Sequence, residues 1–81
     1  STIRDHLDEK AASTPDKVAY IFNQNDGLQI TFADLKDRAY RMAQNFLELG
    51  LKKGDRVAVL FPNTHELLIS YFATAIAGMI N

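Results

Sequence analysis

Between Leu67 and Ala77 only Ser70, Tyr71 and Thr74 carry a polar group on the side chain. A helix over this stretch is apolar on nearly every side, and such helices are buried inside large proteins or membranes. A bilayer is excluded, because spanning it takes about 20 apolar residues. With 81 residues the chain has a small core of its own, since folding at this size hides only about 60–65% of the unfolded surface. The stretch therefore predicts a single segment, residues 1–81, that is a truncated part of a larger α/β protein. Two details point the same way. Met79-Ile80 reads as a strand that has barely begun before Asn81, and Ser1 stands where a Met would start a chain.

Upstream of that stretch the elements alternate. Thr2 predicts a cap for a helix from about Ile3 to Ser13, with Ile3, Leu7 and Ala11 as a narrow apolar stripe. Asp5 lies near the positive end of that helix dipole. Thr14-Pro15-Asp16 ends it, because a residue before proline avoids the α region. Val18 to Phe22 is β-branched and aromatic, and reads as a strand. Asn23 to Gly27 is a turn cluster and Leu28 to Ile30 the returning strand, an antiparallel hairpin. Thr31, with Asp34 three residues on, opens the clearest helix in a capping-box-like pattern. Leu35, Ala39, Met42, Phe46 and Leu49 form its sustained apolar face, and Gly50 supplies a left-handed stop. Val57 to Phe61 has no polar alternation, as expected of a strand covered on both faces in a parallel sheet. Asn63 or Thr64 then caps the apolar helix, Asn63 and Glu66 fitting the capping box, and Gly78 stops it. The expected architecture is α/β in the order helix, β-hairpin, helix, strand, helix. Its expected core is Leu35, Ala39, Met42, Phe46, Val57, Val59, Leu68 and Phe72.

Composition narrows the chemistry. Nine basic residues against ten acidic ones leave a net charge of −1, which argues against a dedicated nucleic-acid binder that must neutralise phosphates. Hydrophobic residues at 47% exceed what a disordered tail contains. The absence of cysteine excludes a disulfide scaffold, Cys-ligated zinc, an iron–sulfur cluster and a thiol nucleophile. Residues 1–12 are polar and alternately charged, unlike a secretory signal.

No constellation here carries catalysis by itself. Gly54 sits between a helix and the following strand, the reverse of the strand–loop–helix order of a phosphate cradle, so it reads as a turn residue. His6 and His65 have no partner at metal-ligand spacing. Asp5, Asp8 and Glu9 alternate with Arg4 and Lys10 as a solvated charged face. Ser70 and Thr74 have no base placed beside them by sequence. The junction Phe61-Pro62-Asn63-Thr64-His65 is better placed, because ligands of α/β sheets sit beyond the carboxyl ends of strands. Asn63 and Thr64 there read first as helix caps, with ligand contact the lesser reading.

Five strings resemble the opening of the adenylate-forming acyl-CoA synthetases, the AMP-binding enzymes related to luciferases and peptide-synthetase adenylation domains. They are residues 14–19 (Thr-Pro-Asp-Lys-Val-Ala), 30–35 (Ile-Thr-Phe-Ala-Asp-Leu), 49–57 (Leu-Gly-Leu-Lys-Lys-Gly-Asp-Arg-Val), 60–64 (Leu-Phe-Pro-Asn-Thr) and 75–78 (Ala-Ile-Ala-Gly). Each is weak alone, but in this order and spacing they cover nearly the whole chain, and the likeness is greatest to fatty acyl-CoA ligases. The resemblance implies a ligase that uses ATP and Mg²⁺ to turn a carboxylic acid, of fatty type, into an acyl-AMP, and coenzyme A to form the thioester. It implies that the family's functional motifs lie beyond Asn81: the Ser/Thr/Gly-rich loop ending in Pro-Lys, the aromatic-Gly-Thr-Glu segment, the ribose-binding Asp and the catalytic Lys. No catalytic, cofactor-binding or metal residue is therefore assigned within residues 1–81, and none of these cofactors is expected to bind the segment alone. Its expected partners are the remainder of the enzyme and, through it, the acid substrate. The apolar residues Leu67, Leu68, Ile69, Tyr71 and Phe72 cannot all face one small core, which predicts self-association of the isolated chain. The alternative reading is a stand-alone interaction or scaffold module derived from the same unit.

Overall fold

The computed structural model describes residues 2–22, 26–55 and 64–78. Its elements are α1 (Ile3–Ser13), β1 (Val18–Phe22), β2 (Leu28–Thr31), α2 (Phe32–Glu48) and α3 (Thr64–Ala77). The expected strand at 57–61, the cap at Asn63 and the run at 79–80 lie outside the described residues.

The chain opens on a complete capping box. The Thr2 hydroxyl accepts from the Asp5 amide at 3.0 Å and the Asp5 carboxylate accepts from the Thr2 amide at 3.3 Å. Two otherwise unpaired N–H groups of α1 are satisfied this way. The helix stops at Thr14, whose amide donates to the Lys10 carbonyl at 2.8 Å, just before Pro15. The predicted apolar stripe narrows to Leu7, which is fully buried, whereas Ala11 is half-buried and Ile3 exposed.

Asp26 and Gly27, both with positive φ (56° and 74°), lead the hairpin into β2. Tyr20 pairs with Ile30 and Phe22 with Leu28, and an irregularity between Val18 and Tyr20 shifts the register by one residue. Phe22 and Ile30 are buried, while Ile21 on the opposite face is exposed. Two strands bury only one side of themselves, against the helices.

The start of α2 is held by the chain that precedes it. Its first two amides, Phe32 and Ala33, donate to the carbonyls of Lys17 and Pro15, each at 3.0 Å. The third, Asp34, donates to the Thr31 hydroxyl at 3.1 Å. Three of the four amides a helix start leaves unpaired are thus accounted for. At the other end Gly50, with φ 90°, completes a Schellman motif. Its amide donates to Leu47 O at 3.0 Å and that of Leu51 to Phe46 O at 3.2 Å.

Along α2 Leu35 and Ala39 are fully buried, as expected, and Ala43 is buried with them. Met42 and Phe46 are half-buried. Leu49 departs from the expected face and is 79% exposed. It sits at the C-cap, and with the exposed Leu47 it shows the last turn running past the core.

Among the described elements the contact between α2 and α3 is the most extensive. Ile69, Phe72 and Ala73 are buried in α3, and Leu68 and Ile76 pack against the core from its margin. Of the expected core, Leu35, Ala39 and Phe72 are buried, Leu68 is partly so, and Val57 and Val59 lie outside the described residues. Sequence spacing missed Phe22, Ile30, Ala43 and Ala73. It also grouped Ile69 with residues competing for one face, and Ile69 is among those that reach the core.

Gly78 ends α3 with φ 74°, and its carbonyl accepts from the Gly54 amide at 2.7 Å. A Cβ built on Gly78 comes within 2.9 Å of Lys53 Cγ, so the turn at residues 52–55 is packed onto the helix end. That turn is closed by the Asp55 carboxylate, which accepts from the Lys52 amide at 2.7 Å. Gly54 is a turn residue, as its place in the sequence predicts.

Candidate functional site

Phe61, Pro62 and Asn63 of the strand-to-helix junction lie outside the described residues; Thr64 opens α3. His65 is half-buried, with its ring edge-on to Phe22 at 6.0 Å between centroids. Its Nε2 is 3.9 Å from a carboxylate oxygen of Glu66. The histidine nearest the junction is thus packed onto the hairpin and lies beside an acid of its own helix. His6 is exposed on α1. Among the described residues no three His, Asp or Glu side chains converge as a metal site would require.

Ser70 and Thr74 are buried and each donates to its own helix backbone, Ser70 Oγ to Leu67 O at 2.7 Å and Thr74 Oγ1 to Tyr71 O at 2.9 Å. A hydroxyl within an apolar helix avoids the cost of burial by this local bond. Both residues act as small core residues with internally satisfied hydroxyls.

A polar cluster joins α1 to α2. The Tyr40 hydroxyl donates to the Asp8 carboxylate, with oxygens at 2.9 and 3.0 Å, and accepts from Arg4 Nε at 3.1 Å. Lys36 Nζ lies 3.5 Å from Asp8 Oδ1. Arg4 and Lys36 both approach the Tyr40 ring, at 5.8 and 5.6 Å from its centroid, within the range of cation–π attraction. The hydrogen bond to Tyr40 is the main cause that raises the Arg4 pKa above its ordinary value. Asp8 therefore departs from the expected solvated face: it is the acceptor at the centre of an interhelical clasp. The sequence holds half the signal. Arg4 and Asp8, and likewise Lys36 and Tyr40, are four residues apart and share helix faces. Which two faces meet is not written in that spacing. Asp5 and Glu9 remain exposed, as expected.

Two open grooves flank the clasp. One, of about 370 Å³, is lined by Ala11, Ala12, Ala33, Lys36, Asp37 and Tyr40. The other, of about 560 Å³, lies between the start of α1 and the end of α3 and includes Arg4, Asp8, Lys53 and Gly78. Each is lined by both cations and carboxylates, Lys36 with Asp37 in the first and Arg4 and Lys53 with Asp5 and Asp8 in the second. The arrangement ties helices together and presents no concentrated field of one sign to a ligand.

Comparison with known proteins gives a consistent picture. The family model described as AMP-binding enzyme matches residues 7–81. A mitochondrial medium-chain acyl-CoA ligase from Danio rerio is 39% identical over 80 residues, which are 99% of this chain and 13% of that protein. A long-chain-fatty-acid–CoA ligase from Bacillus subtilis (strain 168) is 40% identical over 79 residues, 98% of this chain and 14% of the relative. Among solved structures, a Rhodopseudomonas palustris protein assigned as a long-chain-fatty-acid CoA ligase superposes with a TM-score of 0.89 at 36% identity. It covers 99% of this chain, and the chain covers 20% of it. The chain thus spans a small fraction of the length of the proteins it matches, and they do not favour a stand-alone scaffold.

Proposed function

Because this chain belongs to the AMP-binding enzyme family, we propose that it forms the opening part of the large N-terminal domain of an acid–thiol ligase. The proposed reaction has two steps. A carboxylate oxygen of a fatty acid attacks the α-phosphorus of ATP, with Mg²⁺, and pyrophosphate leaves. The thiol of coenzyme A then attacks the acyl carbon of the acyl-AMP, and AMP leaves as the thioester forms. The observation that supports this reading is the match over residues 7–81, together with backbone agreement along 99% of the chain with a protein assigned as a fatty-acid ligase.

The described residues do not fit ATP, Mg²⁺ or coenzyme A. Gly27, Gly50, Gly54 and Gly78 stand at turns and helix ends and do not open a helix toward a phosphate. Asp8 and Asp37 are engaged with Tyr40, Lys36 and Arg41, and among the described residues no group of three acidic or histidine side chains converges for a cation. No step of the reaction is assigned to this chain's side chains. Phosphoryl chemistry relies on positioned cations and N–H donors around the triphosphate, and in this proposal the rest of the enzyme supplies them. Residues 1–81 then act as one segment that builds a flank of the domain and positions α3, with Asn63 proposed as its cap.

The test compares the 81-residue chain with the longer enzyme that carries it. With a series of fatty acids, the longer enzyme should support acid-dependent exchange of pyrophosphate into ATP and acyl-CoA formation. The short chain should do neither. Micromolar ATP binding by the short chain would overturn the assignment of the chemistry to the rest of the enzyme. In the longer enzyme Asn63→Ala should lower stability by about 1 kcal/mol through loss of a cap, with kcat/KM nearly unchanged after correction for folded fraction. A hundredfold loss of kcat/KM at unchanged stability would make Asn63 a site residue.

The proposal includes self-association of the isolated chain. Leu67 and Tyr71 on α3 and Ile21 on the hairpin are 43%, 47% and 58% exposed. Sedimentation of the short chain should show dimers or larger species, and a clean monomer at high concentration counts against this.

A further inference from the structure

We draw no further inference here: the strongest candidate, the exposed apolar face that Leu67 and Tyr71 form on α3, restates the proposal that this segment packs within a longer enzyme, and nothing in the structure shows what covers it.

Discussion

The two helices that share the core, α2 and α3, differ in what they show on the side turned away from each other. On α2 that side is charged and internally matched: Asp37 pairs with Arg41 and Gln44 donates to Glu48, each four residues apart. Such pairs support an exposed helix by a few tenths of a kcal/mol each. On α3 the away side presents Leu67 and Tyr71, nearly half exposed, while Ile69, Phe72 and Ala73 fill the buried side. The helix α2 is finished as a surface helix. Its partner carries large apolar residues on both sides, and among the described residues only one side is covered. The apolar surface left open among the described residues thus lies mainly on one of the two helices.

The largest expected effect tests that asymmetry. Leu35→Ala, at a fully buried position of α2, should cost about 2–5 kcal/mol in denaturant unfolding, from lost transfer energy plus a cavity. In the isolated chain Leu67→Ala should stay within about 0.5 kcal/mol, the usual range for surface changes. In the longer enzyme the same substitution should move into the range of Leu35→Ala. Equal small costs in both settings would break the comparison, because α3 would then be a surface helix there too.

A smaller effect sharpens the account of α2. Its polar side is tied to α1 by the Tyr40 hydroxyl, which bridges Asp8 and Arg4. Tyr40→Phe keeps the ring under Arg4 and Lys36 but removes that bridge. Loss of one partly exposed hydrogen-bond set should cost about 1 kcal/mol, with faster amide exchange in α1 than in α3. A double-mutant cycle with Asp8→Asn should show the two changes to be non-additive. Simple additivity would mean that Tyr40 and Asp8 are not coupled across the two helices.

Local structure is legible in this sequence wherever the signal is local. The helix from Ile3 to Ser13, the strand from Val18 to Phe22 and the start of α2 after Thr31 all fall where caps, proline and β-branched residues place them. These signals act through one or two turns of backbone, so no partner is needed to read them. The capping box shows the limit. The sequence pattern placed a capping box at Thr31 with Asp34, where only the hydroxyl half forms, and a simple cap at Thr2, where the full box with Asp5 forms. At Thr31 the first two amides of α2 are taken by Lys17 and Pro15, residues of the preceding connection.

Burial and pairing needed the fold. Leu49 continues the apolar spacing of α2 yet is exposed, because periodicity does not record where the opposing helix ends. Asp8 lies among alternating charges and looks solvated, but the approach of α2 makes it an acceptor for Tyr40. In α3 nearly every residue is apolar, so the sequence has no preferred face to offer. Packing against α2 is what selected Ile69, Phe72 and Ala73 for the core and left Leu67 and Tyr71 outside. What the sequence alone determined is the order of the described elements, most of their ends and the family resemblance carried by its five strings. All of these depend on residues near one another along the chain. Tertiary structure decided which of several equivalent faces is buried and which charges meet, because both depend on distances between residues far apart in sequence.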